Sequence, residues 1–507
     1  MFDEDGEWRK IHSSLWHPWQ DKAGIRHVPT YFNASSQTIH TSYHPENFLY
    51  HVADMEEMIE CVSKNGLFLL CKDPLNEHEF SYANELLGDD RATPYLSRQG
   101  NIAALRLSNK RRSGFLVPSK TWRWDNEPTA NLTRNIGEIF RIFGYESTTP
   151  ASLSEKILRA TLPTPLGISR PSVWLRRDIL DNHTGGRIDT AIPKFYRTVK
   201  EFDKNKAYAW HSRSVPSPFL CPFIRSGPSL AECLDYATGY WQCVLVAVPL
   251  PLHPIQVVKP VPGEIITRWL WTGELLDCLE AGYQLVKIIR GYGFREMSNF
   301  MEMWSDILLE KHFQAQRSDE HLAKIIKSMM VGLPGRFLRQ PEQYRLVHIS
   351  EAQKGDIPLM MHWQEDGDRK FSDYAIRPEY DKESTALSYI GSYIVAEMRR
   401  ELYHRMLEEI RHGYHVIRSY IDCYSISIDD GDLVRSGKED ERFRNIGTGI
   451  GQWKEKTYTN VYAEENRFIG EEAYNERQLK VKAPGYGQEQ RIYFIRRYRE
   501  IVRNQPV

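Results

Sequence analysis

Little in this chain is extreme, and several absences narrow what it can be. No stretch of about eighteen apolar residues occurs, so no membrane-crossing helix is expected. Charge of neither sign dominates: 66 Lys and Arg stand against 67 Asp and Glu, a net charge of −1. No global field therefore draws in nucleic acid, and any phosphate-binding surface has to be a local patch. The seven cysteines, Cys61, Cys71, Cys221, Cys233, Cys243, Cys278 and Cys423, are scattered and never spaced Cys-x-x-Cys. They read as reduced intracellular thiols, which excludes a zinc knuckle and a disulfide scaffold from the expected classes. The first residues, Met1 to Glu7, are acidic and lack an apolar core, unlike a signal or transit peptide. Internal repeats and low-complexity tracts are also missing.

What is there is an irregular alternation of strand and helix signals over 507 residues, long enough for two to four structural units. Up to about residue 165, short apolar runs such as Val62 to Cys71 and Arg112 to Val117 predict strands, and Leu132 to Phe143 has helical spacing. Pro150, Pro163 and Pro165 punctuate a boundary. Tyr240 to Val248 predicts a strand, Gly273 to Ala281 a short helix ended by Gly282, and Val286 to Ile289 a strand; helical segments follow from about 295 to 330. Ile390, Ile394, Met398, Leu402 and Met406 form an i+4 ladder that predicts a long helix, and Val416 to Ile428 predicts a strand after it.

Two strings more than two hundred residues apart stand out. Phe202-Asp203-Lys204-Asn205-Lys206-Ala207-Tyr208 and Tyr420-Ile421-Asp422-Cys423-Tyr424-Ser425 each end an apolar or aromatic run with an aspartate. That is how a sheet delivers carboxylates to Mg²⁺, a cation that takes oxygen ligands and serves phosphoryl-type chemistry. Taken alone, Asp203 would be a turn residue at a strand end. Its neighbours give it more meaning. Gly185-Gly186-Arg187 lies sixteen residues upstream; paired glycines let backbone N–H groups approach a phosphate, and an arginine can fork onto it. Farther on come Lys327 to Gly335, followed by Arg336-Phe337, then Ile450-Gly451-Gln452-Trp453-Lys454, then Lys482-Ala483-Pro484-Gly485.

In this order the strings resemble those of family B DNA polymerases, of the protein-primed, viral or plasmid type. The first resembles motif A, Asp-x-x-Ser-x-Tyr-Pro, and the second motif C, Tyr-x-Asp-Thr-Asp-Ser. Lys327 to Phe337 resembles motif B, with Val331, Gly332 and Pro334 in place of its Asn, Ser and Tyr; an alternative register begins at Lys324. Motifs B and C are thus degenerate. The resemblance implies an α+β multidomain protein. Its parts would be an exonuclease-like α/β domain with a degenerate site (1–165), a palm with an antiparallel sheet in two parts (166–290 and 346–435), helical fingers (291–345) and a small thumb-like region (436–507).

It also implies roles. Asp203 and Asp422 would hold Mg²⁺ if the protein is active, with Lys327 on the triphosphate and Asn205, Tyr208, Gly335 and Arg336 around the nucleotide. Gly185, Gly186, Arg187, Trp453, Lys454 and Lys482 would face DNA. Tyr424 occupies the place of the second motif C aspartate, and a neutral phenol is a poor Mg²⁺ ligand. Asp429 could substitute only through a bulge or hairpin. Two functions follow as expectations: a weakly active or inactive DNA-directed DNA polymerase, or a non-catalytic, polymerase-derived component of a replication or packaging assembly. Expected partners are primer-template or single-stranded DNA, a dNTP if active, and a priming or replication protein, within a cell or virion and away from membranes.

Overall fold

The computed structural model describes residues 29–500 apart from 34–36, 42–47, 52–53, 66, 72–81, 84–85, 88–91, 97–101, 109–112, 123–128, 163–168, 170, 190, 256–260, 339–342, 352, 354–356, 364–368, 380–386, 429–444, 466, 473–478 and 483–493. The chain forms two compact units, each made of two stretches. One comprises Met1–Leu166 and Met303–Ala386, the other Gly167–Glu302 and Leu387–Val507.

The first unit is built on a seven-stranded sheet of order β3-β2-β1-β4-β7-β6-β5. Its strands are β1 (Pro29–Asn33), β2 (Thr38–Thr41), β3 (Phe48–His51), β4 (Phe68–Cys71), β5 (Ala92–Leu96), β6 (Ile102–Ser108) and β7 (Ser113–Pro118). β4 is parallel to both β1 and β7, while the flanking pairs are antiparallel. The crossover to β4 is helix α1 (Met55–Asn65), opened by Asp54, whose carboxylate accepts from Glu57 N–H at 2.9 Å. The apolar run from Val62 is therefore a helix end followed by a four-residue strand, not one strand. The helix ends at Asn65, a break the alternation concealed. The first strand among the described residues, β1, reads Pro-Thr-Tyr-Phe-Asn and carries no carboxylate.

Helices α2 (Thr129–Phe143) and α3 (Pro150–Thr161) complete the first stretch; Thr149 caps α3 by accepting from Ser152 N–H, and Pro150 sits in its first turn, where no N–H is needed. The second stretch brings α8 (Glu302–Gln316), α9 (Glu320–Phe337) and a three-stranded antiparallel sheet of β16 (Gln343–His348), β18 (Arg369–Glu379) and β17 (Ile357–Trp363). α9 packs on α3 closely enough that a Cβ at Gly332 would stand 3.0 Å from that of Ala151.

The second unit holds helix α4 (Val173–Asn182) and a seven-stranded sheet, antiparallel throughout, of order β23-β22-β21-β9-β20-β19-β8. Its strands are β8 (Arg187–Asp189), β9 (Ala191–Lys204), β19 (His415–Ile421), β20 (Cys423–Ser427), β21 (Trp453–Glu465), β22 (Arg467–Glu472) and β23 (Leu479–Lys482). The long helix α10 (Ser388–Arg411) lies on one face. Ile390, Ile394, Met398, Leu402 and Met406, the predicted ladder, are all buried. Between β9 and α10 in sequence come α5 (Ala207–His211), the short paired strands β10 (Val215–Pro216) and β15 (Met297–Ser298), α6 (Leu230–Leu234) and α7 (Thr272–Glu280). With them is an antiparallel sheet of β11 (Phe223–Ser226), β14 (Gln284–Phe294), β12 (Thr238–Val246) and β13 (Ile265–Trp271). Among the described residues no helix is long and apolar enough to cross a membrane.

Candidate active site

β9 is the central strand of the large sheet, and its last residues organise the site. On one side Asp203 is the cross-strand partner of Cys423, on the other of Lys454. Asp422 lies between β19 and β20 and accepts from Lys204 N–H at 2.9 Å through its backbone oxygen. The stretch predicted as one strand from Val416 is thus a hairpin: Tyr420 pairs with Cys423, leaving Ile421 and Asp422 as a two-residue turn. Such turns want φ > 0, and Ile421 has φ 59°, a conformation a β-branched residue adopts only when its surroundings hold it there. No glycine or asparagine marks this turn in the sequence.

Alternation along β9 sends successive side chains to opposite faces. Phe202 and Lys204 point to the α10 face. Phe202 joins Leu402, Tyr403 and Met406 of α10 in one core, and Lys204, itself buried, pairs with Glu401. His211 also reaches Glu401 at 3.0 Å, and the Lys204 ammonium lies over the rings of Trp210 and Trp453. Burial lowers the Lys204 pKa against the pull of Glu401. The Glu401 carboxyl is itself pushed up by burial, but its bonds to His211 and Lys204 hold it below its ordinary value. Glu201 and Asp203 take the other face. There Glu201 forms a fully buried ion pair with Arg418 at 3.1 Å, and Arg418 stacks over Phe468.

Tyr424 is the cross-strand partner of Phe202 and follows it to the α10 face. Its ring is 3 % exposed, stacked on Phe202 with centroids 5.2 Å apart and edge-on to Trp453, and its hydroxyl donates to Glu409 at 3.1 Å. Burial, with the Glu409 charge beside it, holds the phenol well above its ordinary pKa, so it stays protonated. Tyr424 is thus a core residue.

After β9 the chain turns through Asn205 and Lys206, the latter at φ 55°, into α5. Asn205 ties this turn to the loop before β21. Its N–H donates to Gln452 O, its carbonyl accepts from Gly451 N–H, and its side-chain amide donates to Gly447 O at 2.6 Å. Gly451 is obligatory twice over, with φ 71° and with the Trp210 ring 2.5 Å from where its Cβ would be. Tyr208 has its pKa raised to about 12, first by burial and then by the charges of Asp422 and Tyr420. Asp203, Asp422, Tyr208 and Lys454 therefore gather at one end of the sheet.

The other predicted residues are placed differently. Arg187 is 1 % exposed, bonded through both edges to Asp189 and to Pro254 O, and packed on Tyr403. A buried, neutralised guanidinium cannot grip phosphate, so its place is structural. Trp453 is likewise buried. Gly186 lets β8 approach the motif C turn, since a Cβ there would lie 3.2 Å from Ile421 Cα; Gly185 faces open space, and its carbonyl accepts from Arg399. Lys327 and Lys324 are exposed on α9, the latter paired with Glu320; Gly335 is open, and Arg336 reaches Glu155 at 3.1 Å. All four belong to the other unit. Lys482 ends β23, opposite Phe468. Asp429 lies outside the described residues.

Two-metal chemistry needs several carboxylates on a pair of ions. Among the described residues no three His, Cys, Asp or Glu side chains form a group that could hold a metal. Asp203 has Cys423 and Lys454 as its cross-strand neighbours, and Asp422 stands in the turn just before Cys423.

A protein-family model, DNA polymerase type B, organellar and viral, matches residues 129–398, more than half of the chain. The chain belongs to this family. Its fold is that of Phi29 DNA polymerase: the orthorhombic crystal form superposes with a TM-score of 0.66 at 14 % identity, covering 89 % of each chain. The Phi29 enzyme in its ternary complex with primer-template DNA and incoming nucleotide gives 0.64 at 15 % identity and 92 % of each chain; its single-stranded DNA complex gives 0.64 at 15 % and 90 % of each. Among curated proteins none matches the chain in sequence. The family model and the Phi29 fold account for the α+β architecture; the motif C string, 420–425, lies beyond the residues the family model matches.

Proposed function

We propose that this protein binds DNA through its polymerase fold and that its nucleotidyl transfer is very weak or absent. The observation that carries the reading is the environment of the motif C hairpin. The residue in the place of the family's second aspartate, Tyr424, is spent on the core beneath the sheet, and the cross-strand places beside Asp203 hold Cys423 and Lys454. A charged phosphoryl transition state would meet two carboxylates here, Asp203 and Asp422, and among the described residues no third ligand-type side chain groups with them into the cluster the chemistry requires. Phi29 polymerase is known with primer-template and with single-stranded DNA, which supports DNA as the ligand. The protein would then serve as a component of a replication or packaging assembly, with a priming or replication protein as a further partner.

A second reading, an active polymerase, draws on the meeting of Asp203 and Asp422 at one sheet end; it requires a further carboxylate, such as Asp429, to complete Mg²⁺ binding, with Lys327 on the triphosphate. Fluorescence anisotropy of labelled primer-template and single-stranded DNA, titrated at several salt concentrations, tests the binding half. Affinity that falls steeply with salt is expected, because cationic side chains release counterions from phosphates. No binding at low salt would overturn it. Primer extension with Mg²⁺ tests the other half: absence of extension is expected, and robust extension favours the second reading.

A further inference from the structure

The motif string assigns the lost metal ligand to Tyr424, because that residue is second after Asp422. The hairpin assigns it elsewhere. With the turn at Ile421 and Asp422, β20 starts at Cys423, and pairing sets Cys423 directly opposite both Tyr420 and Asp203. Directly opposed residues share a face, with Cβ atoms about 4.5–5.5 Å apart. The partners confirm the alternation: Tyr424 stacks on Phe202 on the α10 face, so Cys423 and Asp203 share the opposite face. At that level the sheet reads Tyr420, Cys423, Asp203, Lys454 from strand to strand. Cys423 is half-buried, and its thiol donates to Tyr420 O at 3.4 Å. An alkyl thiol is a poor partner for a hard, oxygen-seeking cation.

We infer that Cys423, not Tyr424, stands where a second cation-binding carboxylate would have to stand in this palm, so that one substitution there installs divalent-cation binding. This rests on the proposed loss of nucleotidyl transfer. A carboxylate at 423 would be flanked by Asp203 of β9 and preceded by Asp422 of the turn, giving three carboxylate-bearing residues at one end of the sheet. A carboxylate at 424 would instead lie between Phe202, Trp453 and Glu409, away from that end.

The probe is Mn²⁺ alone, followed by the paramagnetic resonance signal of the free ion, with the full chain. Cys423→Asp is expected to bind Mn²⁺ more tightly than the native chain, on the order of tenfold or more, since a tenfold change needs only a fraction of one close charge contact. Adding Asp203→Asn should remove the gain, and Cys423→Ser should give none. A folded Cys423→Asp chain without tighter binding would overturn the inference, as would a gain produced by Tyr424→Asp.

Should Cys423→Asp fail to fold, geometry is read directly. In an Asp203→Cys chain, diamide takes two electrons and two protons from the facing thiols, and a disulfide forms between the introduced thiol and Cys423, located by peptide mass. Phe202→Cys in the same assay should leave Cys423 reduced. No disulfide from position 203, or one from position 202, would overturn the placement. Robust extension by the native chain would refute the proposed function without touching either readout.

Discussion

Replacing Tyr424 by aspartate is the change a motif comparison would recommend to restore chemistry, and the structure predicts that it strongly destabilises the second unit instead. The ring is 3 % exposed and wedged between Phe202 and Trp453. Truncating a buried aromatic costs about 3–5 kcal/mol through lost burial and the cavity left behind. Each aromatic pair lost accounts for about 0.5–1.5 kcal/mol. The new carboxylate would then sit in that cavity facing Glu409, itself 2 % exposed, with the hydroxyl that donates to it removed. Burying a charge without a partner costs several kcal/mol more, or forces it to take up a proton. The sum reaches or exceeds about 5 kcal/mol, against a whole-domain stability of about 5–15 kcal/mol. Tyr424→Phe isolates the hydroxyl and should cost about 1–3 kcal/mol, the penalty for depriving a buried acceptor of a donor. Scanning calorimetry is the assay. Because the chain has two compact units, the transition to follow is the one that shifts, not a single midpoint. A Tyr424→Asp protein that melts within a few degrees of the native chain would refute the reasoning.

Other expectations follow from single contacts. Gly186→Ala should destabilise by about 1 kcal/mol, because the added methyl meets the backbone of Ile421, while Gly185→Ala, with nothing near its Cβ, should stay within about 0.5 kcal/mol in the same calorimetric comparison. Ile421→Gly should relieve the positive φ of the turn and raise the unfolding temperature unless the lost packing on Gly186 outweighs about 1 kcal/mol of strain; a large drop would mean packing governs this turn. His404 has its pKa raised above 6.5, chiefly by its bond to Asp277. Its contribution to stability is therefore fully present below about pH 6.5 and lost as the pH rises through the higher folded value, and His404→Gln should flatten that part of the stability–pH curve. Lys454 is the exposed cation beside Asp203; Lys454→Ala should weaken DNA binding and lower its salt slope by about one, and an unchanged slope would place DNA elsewhere.

How far the residues announced the fold depends on how local the signal was. The α10 ladder, the helix ended by Gly282 and the strand into Asp203 are periodic or capped segments whose pattern survives folding, and they stand as read. The motif C hairpin was hidden because its turn uses Ile421 and Asp422 inside a run of β-branched and aromatic residues, with no glycine or asparagine to mark it. The string alone puts Tyr424 in the place of the second motif C aspartate, whereas the hairpin register sets Cys423 opposite Asp203 and Tyr424 opposite Phe202, on the other face of the strand. Arg187 was misplaced for another reason. Its string fits a phosphate-binding turn, but the partners that bury it, Asp189, Pro254 and Tyr403, are supplied by the tertiary fold.

The claim that this family member has lost its two-metal site is tested most directly by single-nucleotide incorporation on a primed template with Mg²⁺, run with the native chain beside Asp203→Ala at equal concentration. The account predicts that the two are indistinguishable, with incorporation at or near background. Rapid incorporation by the native chain that Asp203→Ala abolishes would contradict it.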